Sequence, residues 1–363
     1  MNYTVRKSEK IVIAMSGGID SSVAAFLLKN AGNDCIGITL KLVKNSISDI
    51  TEGKTCCSYD DILDAKKIAY KLEMPHYVLN FTEVFEKKVI QDFINKYTEG
   101  LTPNPCIECN RIIKFHELLH RVQQIGYTYL ATGHYARIIY NERTGRYNLL
   151  KATDILKDQS YFLYMMTQEQ LQYTLFPLGN MSKKEVRALA NDNRLHNYKK
   201  PDSQDICFIK DNNYAEFIET HASLIPEYGN FVYTDGKKIG THKGIHRYTI
   251  GQRKGLEVCS GRRLYVCSKD ILHNTIVLGQ EKDLLKKSFD ITNINLISTD
   301  TIKIPMHLSV KTRYSHTAES ATVIQTDTDV ISICFDEPQK FICPGQSAVL
   351  YDGNSVVGGG IIR

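Results

Sequence analysis

The residues best suited to chemistry in this chain are a run of glycines, hydroxyls and one acid near residue 18, and cysteines placed in polar loops. Residues 11–22 read Ile-Val-Ile-Ala-Met-Ser-Gly-Gly-Ile-Asp-Ser-Ser, a short apolar strand running into a Gly-Gly turn at the mouth of a helix. Gly17 and Gly18 let backbone N–H groups approach an anion closely, and the unpaired amides of the helix start add partial positive charge. Pyrophosphate suits such a junction. Two commoner nucleotide loops do not fit: the lysine of Gly-x-x-x-x-Gly-Lys-Ser/Thr is absent, and the glycines do not form Gly-x-Gly-x-x-Gly.

Ten cysteines in a chain with no export signal read as core residues, metal ligands or redox groups. Cys109 lies in Thr102-Pro103-Asn104-Pro105-Cys106-Ile107-Glu108-Cys109-Asn110, a proline-stiffened loop expected to feed a helix from about Arg111. A thiol near a helix start, with Arg111 and Lys114 close by, ionises readily and makes a nucleophile. Cys207, in Pro201-Asp202-Ser203-Gln204-Asp205-Ile206-Cys207-Phe208-Ile209, reads locally as a core strand cysteine. Cys35, Cys259, Cys267, Cys334 and Cys343 sit in apolar or β-like stretches and read as packing residues.

The elements that must position these groups change character along the 363 residues. Up to about residue 135, strands at Ile11–Ala14, Cys35–Leu40, Tyr77–Asn80 and Tyr129–Thr132 alternate with helices, from Ser21 to a stop at Gly32, over Asp61–Leu72, after Thr82 and after Arg111. Val23, Phe26 and Leu27 share one face of the first helix. Such alternation argues a parallel sheet with ligands at its carboxyl edge, where both Ser16–Ser22 and Gly133-His134 follow strands. A hairpin is expected over 136–150, turning at Thr144-Gly145, then helices over Tyr161–Gln172 and Lys183–Asn193. From Phe231 onward, short strands such as Val232-Tyr233, Ile276–Leu278, Leu308–Thr312, Val330–Phe335 and Ser347–Tyr351 suggest a small β domain and a terminal barrel or sandwich. No segment approaches a membrane span and the run after Lys7 and Lys10 is too short for a signal-peptide core, so a cytoplasmic address is expected. The net charge of +5 suits a polyanionic partner without requiring one.

Six segments in order resemble the tRNA-specific 2-thiouridylase family: Ser16-Gly17-Gly18-Ile19-Asp20-Ser21-Ser22, Pro103-Asn104-Pro105 with Cys109-Asn110, Ala131-Thr132-Gly133-His134-Tyr135-Ala136-Arg137, Lys157-Asp158-Gln159-Ser160-Tyr161-Phe162-Leu163, Gly251-Gln252-Arg253-Lys254-Gly255-Leu256 and Pro344-Gly345-Gln346-Ser347-Ala348. The first alone marks only the wider group of ATP pyrophosphatases; together they span the chain. The resemblance implies an α/β fold: a parallel-sheet, adenine-nucleotide-hydrolase-like domain over 1–210, a small β-containing tRNA-binding domain over 211–282 and a C-terminal β-barrel over 283–363. It implies ATP-dependent 2-thiolation of the wobble uridine of Lys, Glu and Gln tRNAs. A C2 oxygen is a poor leaving group, so adenylation comes first and AMP then leaves. By the same resemblance Cys109 is the nucleophile, Cys207 carries a persulfide received from a sulfur-donor system, and a transient Cys109–Cys207 disulfide awaits a reductant. ATP contacts fall on Ala14, Met15, Ser16, Gly17, Gly18, Ile19, Asp20, Ser21, Leu40 and Gly133. Mg²⁺ accompanies the phosphates, with Asp20 either its partner or a helix cap. The tRNA contacts fall on His134, Lys157, Asp158, Gln159, Arg313, Tyr314 and Gln346.

The chain departs from the family at Cys106, where some members have an aspartate. Cys106-x-x-Cys109 has the spacing of a redox dithiol or half a metal site, so Cys106, Cys109 and Cys207 are candidate ligands of an iron–sulfur cluster, to which Cys56-Cys57 could add thiolates. Otherwise Cys106 is a spectator or traps Cys109 off pathway. Two rival readings are a small-molecule ligase of the same ATP-pyrophosphatase group and a redox-sensing RNA-binding protein with a vestigial loop.

Overall fold

The fold is described from a computed structural model over residues 8–43, 59–201, 206–209 and 213–363. The apolar runs β1 (Lys10–Ala14), β2 (Asp34–Lys41), β3 (His76–Asn80) and β4 (Tyr129–Ala131) form a parallel sheet, with Ile11, Val12 and Ile13 wholly buried in β1. The chain then makes a hairpin of β5 (Ala136–Asn141) and β6 (Arg146–Lys151), and β7 (Thr174–Leu175) returns to pair with β4. The resulting order β3-β2-β1-β4-β7 reverses direction at β1, which creates a crevice at its carboxyl end. Helix Ile19–Asn30 covers one face of the sheet, turned so that Val23, Ala24 and Leu28 are buried while Phe26 and Leu27 are half-buried. Gly32 ends it with φ +85°, as expected.

Two helices differ from expectation. The one expected from Arg111 begins at Pro105, because Asn104 Oδ1 accepts the Cys106 amide at 3.1 Å and the proline occupies the first helical turn, where its missing N–H costs nothing. It is α-helical over Pro105–Glu108, π-helical over Cys109–Leu118 and α-helical again over Leu119–Gln124. The stretch read as a helix over Tyr161–Gln172 is a 3₁₀ turn, Ser160–Leu163, followed by the short helix Gln168–Gln172. Thr167 separates them: its hydroxyl caps the Gln170 amide and starts a new helix.

After helix Tyr214–Ala222, β8 (Gly229–Tyr233), β9 (Lys238–His242), β10 (Tyr265–Asp270) and β11 (Thr275–Gly279) make a small sheet in the order β10-β11-β8-β9. The last six strands are β12 (Lys286–Leu296), β13 (Met306–Lys311), β14 (Glu319–Asp327), β15 (Val330–Gln339), β16 (Ser347–Asp352) and β17 (Ser355–Ile362). They run β12-β15-β14-β13-β16-β17, and pairing of β12 with β17 closes a barrel, not a sandwich. The expected hairpin β5–β6 does form, yet it belongs to the barrel's sheet: Leu150 of β6 pairs with Ser355 of β17.

Candidate active site

The turn after β1 is built for backbone exposure. Gly17 has φ +75°, and a Cβ there would lie 2.2 Å from the Asp61 carbonyl oxygen, so only glycine fits. The hydroxyls brace the turn: Ser21 Oγ and Ser22 Oγ each donate to the Gly18 carbonyl at 3.0 Å, and Ser21 Oγ accepts the Ser16 amide at 3.2 Å. Gly133 packs its backbone against the same helix start, with room for no Cβ within 2.7 Å of the Ser21 amide nitrogen. Ala14, Met15 and Ile19 flank the turn, and Met15 donates its amide to the Ile38 carbonyl on β2 at 2.8 Å, two residues before the buried Leu40. Expected ATP positions from three separate stretches thus meet at one sheet edge.

Asp20 neither caps the helix nor stands open to a cation. The cap position is Gly18, while the Asp20 carboxylate accepts Lys183 Nζ at 2.7 and 2.8 Å and the Tyr135 hydroxyl at 2.8 Å. Lys183, Asn197 and Lys200 are site residues that sequence reasoning missed. Asn197 Nδ2 donates to the Gly17 carbonyl at 3.0 Å and to Ser22 Oγ at 2.9 Å. Lys200 Nζ reaches the Gly17 carbonyl at 3.3 Å while paired with Asp61 at 2.6 Å and Asp64 at 2.7 Å. Burial alone would raise the Asp64 carboxyl; its bonds to Lys200 and His196 outweigh that and hold it below the usual value. Burial would likewise lower Lys200, and its two carboxylates raise it instead. The only local signal was Lys199-Lys200 before Pro201, too common a pattern to single out.

Cys106 occupies the first turn of its helix and Cys109 the start of the π-helical segment, so the helix-start environment expected for Cys109 belongs to Cys106. Cys109 and Cys207 pack at the margin of one hydrophobic cluster, with Phe208 stacked edge-on to Phe85 and Phe93 beside Cys207. Among the described residues no three His, Cys, Asp or Glu side chains form a group able to hold a metal ion. Cys106, Cys109 and Cys207 therefore do not make the thiolate set of a cluster; Cys56, Cys57 and Asp202–Asp205 lie outside the described residues. Of the cysteines expected in packing, Cys35 and Cys343 are buried, whereas Cys259 and Cys334 are exposed.

The expected RNA contacts fall into two groups. His134 is enclosed by the rings of Phe115 and Phe176, both at 5.9 Å, and bonds Thr132 Oγ1 at 2.7 Å. Burial, aided by the Lys114 ammonium, holds it well below the ordinary histidine range, so its imidazole is neutral. Phe115 lies on the Cys109 helix and Gly133 packs on the start of the first helix, so the Gly133-His134 pair spans the two. Tyr314 is exposed, with its ring 4.3 Å from Phe162, and the Phe162 carbonyl accepts Asn110 Nδ2 at 3.2 Å. Asp158, Gln159, Arg313 and Gln346 are bonded to other parts of the protein. Asp158 is buried and spends its oxygens on the Ala152 and Ser160 amides and the Ser160 hydroxyl. Gln159 exchanges bonds with the Tyr135 backbone at 2.8 and 2.9 Å, next to Lys157 in the same turn. Arg313 donates to the Ile250 carbonyl at 3.0 Å and to Cys343 Sγ, and its Nε is buried. Gln346 Nε2 donates to the Thr102 carbonyl at 2.8 Å, so the barrel grips the segment that leads into the Cys109 helix.

Comparison with known proteins decides what this assembly is. Residues 9–211 match the tRNA methyl transferase HUP domain, 215–280 the tRNA methyl transferase PRC-barrel domain and 286–362 the aminomethyltransferase beta-barrel domain. The tRNA-specific 2-thiouridylase MnmA of Clostridioides difficile (strain 630) is 50% identical over 356 residues, 98% of both chains. That of Clostridium acetobutylicum is 44% identical, covering 98% of this chain and 100% of its own. The chain belongs to the tRNA-specific 2-thiouridylase family. The methyl-transferase wording of the matched domains does not describe the 2-thiouridylases named among its full-length relatives. Among the described residues no helix is long and apolar enough to cross a membrane.

Proposed function

We propose that the chain is a tRNA-uridine 2-sulfurtransferase that exchanges the C2 oxygen of a wobble uridine for sulfur at the expense of ATP. The observation that carries this reading is identity of 44–50% to 2-thiouridylases over almost the whole chain. The chain's own residues suit each step. Backbone amides at Gly17 and Gly18 cradle the phosphates, the Gly18 amide exchanging its 3.4 Å contact with Ser16 Oγ for a phosphate oxygen, while the uridine C2 oxygen attacks the α-phosphorus and pyrophosphate leaves. Mg²⁺ brought with ATP would supply charge neutralisation at the phosphates; the Asp20 carboxylate, already bonded to Lys183 and Tyr135, orients the loop instead of offering an open ligand position.

Sulfur comes through the cysteines. Cys207 takes a terminal sulfur from a cysteine-derived donor and becomes a persulfide. The Cys109 thiolate attacks the Cys207 sulfur, forming a Cys109–Cys207 disulfide and releasing that terminal sulfur as hydrosulfide with the bond's electron pair. Hydrosulfide adds to the activated C2, AMP departs, and an external dithiol returns both cysteines to thiols. Neutral His134, packed on Phe115 of the Cys109 helix, adds no positive charge that would draw the phosphates away from their cradle. The test is anaerobic transfer of labelled sulfur from cysteine to unmodified tRNA with a cysteine desulfurase and ATP–Mg²⁺. Cys109→Ala and Cys207→Ala should abolish transfer and Cys106→Ala should retain it. Transfer surviving in Cys207→Ala would overturn the persulfide route; no transfer by the native chain would overturn the function.

A further inference from the structure

Two lysines outside every motif above converge where the β5–β6 hairpin, the Lys157–Ser160 turn and the barrel meet. Lys151 ends β6; its Nζ lies 4.3 Å from the Tyr351 ring centroid and donates to the Gly353 carbonyl at 3.1 Å. Lys311 ends β13; its Nζ lies 5.1 Å from the Tyr314 ring centroid and 6.0 Å from that of Tyr161. Both are half-buried, and among the described residues neither has a carboxylate at ion-pair distance. The acid whose field both feel is Asp158, whose oxygens are committed to Ala152 and Ser160. Burial keeps Lys311 below the ordinary lysine value; the Asp158 charge opposes this, and the like charge of Lys151 adds to it. Two partly desolvated ammonium groups with no ion-pair partner among the described residues raise the energy of the protein alone, and an anion bound beside them lowers it.

The surroundings identify the anion. Tyr314 presents an exposed ring next to Lys311, backed by Phe162, whose carbonyl is tied to Asn110, the neighbour of Cys109. A cation pair beside an aromatic face is how proteins hold single-stranded nucleic acid: lysine on phosphate, base on ring. Arg313, by contrast, is turned into the junction with Ile250 and Cys343.

We propose that Lys151 and Lys311 grip the phosphate backbone of the RNA strand whose base meets the exposed ring of Tyr314. This rests on the tRNA reading above. The test is the salt dependence of binding of a fluorescently labelled, unmodified tRNA transcript between 50 and 200 mM KCl, without ATP or sulfur donor. Lys311→Gln and Lys151→Gln should each reduce the slope of log K against log salt by about 0.7–0.9, and the double variant by about twice that. Lys→Arg at either position should restore the slope, and circular dichroism checks that the glutamine variants fold. An unchanged slope in a folded double glutamine variant overturns the pair. Failure of the native chain to bind the transcript overturns the tRNA reading itself.

Discussion

Gly17 and Asp64 show how single residues govern the phosphate turn. Gly17→Ala adds a methyl group where the Asp61 carbonyl already stands and forces a left-handed φ on a residue with a side chain. That variant should lose ATP binding, measured by calorimetry with a non-hydrolysable analogue, and melt below the native chain. Asp64, held low by Lys200 and His196, favours the folded state at every pH above its unfolded value near 3.8, and this contribution disappears as pH falls through the lower folded value. Lys200→Met should therefore flatten the acid side of a melting-temperature profile, and an unchanged profile would show that the pair contributes nothing. The turn itself was legible in the sequence because strand, glycines and hydroxyls are contiguous. Lys183, Asn197 and Lys200 were not, because they reach Asp20 and Gly17 from more than a hundred and sixty residues away and no local pattern marks a lysine that will fold back.

Among elements, the helix carrying Cys106 and Cys109 depends on its neighbours at both levels of structure. Locally, Asn104 caps it, and Asn104→Ala should cost about 1 kcal/mol, read as a lowered denaturant midpoint at constant m. At longer range, the Thr102 amide donates to the Pro344 carbonyl at 2.9 Å, Gln346 returns a bond to the Thr102 carbonyl, and Gly345 leaves no space for a Cβ between them. Gln346→Glu keeps the shape and loses the donor. If Gln346 positions the helix, that variant should change the rate of Cys109 alkylation with no RNA present; if it only touches RNA, the rate stays as in the native chain. The start of this helix was misread because Pro103 and Pro105 look like loop residues, although proline in a first turn is compatible with a helix. The 3₁₀ turn at Ser160 escaped for a related reason: Tyr161 and Tyr164 have helical spacing, but their hydroxyls bond Ser347 of the barrel, and that tertiary contact sets the local backbone.

Across the whole molecule, the parallel sheet and the β-rich C-terminal third were visible from alternation and texture, whereas the seam between them was not. Leu150 and Ser355 pair although nothing in either segment names the other. Asn295 and Gln168 add side-chain bonds across the same seam, to the Tyr164 and Ile297 carbonyls. A fragment starting at Lys286 should consequently show a poorly dispersed amide spectrum that sharpens when residues 136–166 are supplied in the same chain; a well-dispersed spectrum from the fragment alone would show that the seam is dispensable. The hairpin that joins this seam also sets a timetable for biogenesis. On the ribosome β6 is made roughly two hundred residues before its partner, about 10–40 s at ordinary elongation rates. Through that interval Lys151 and its neighbours wait without the strand that completes their sheet, so the platform beside the cysteine helix is among the last parts of the enzyme to take shape.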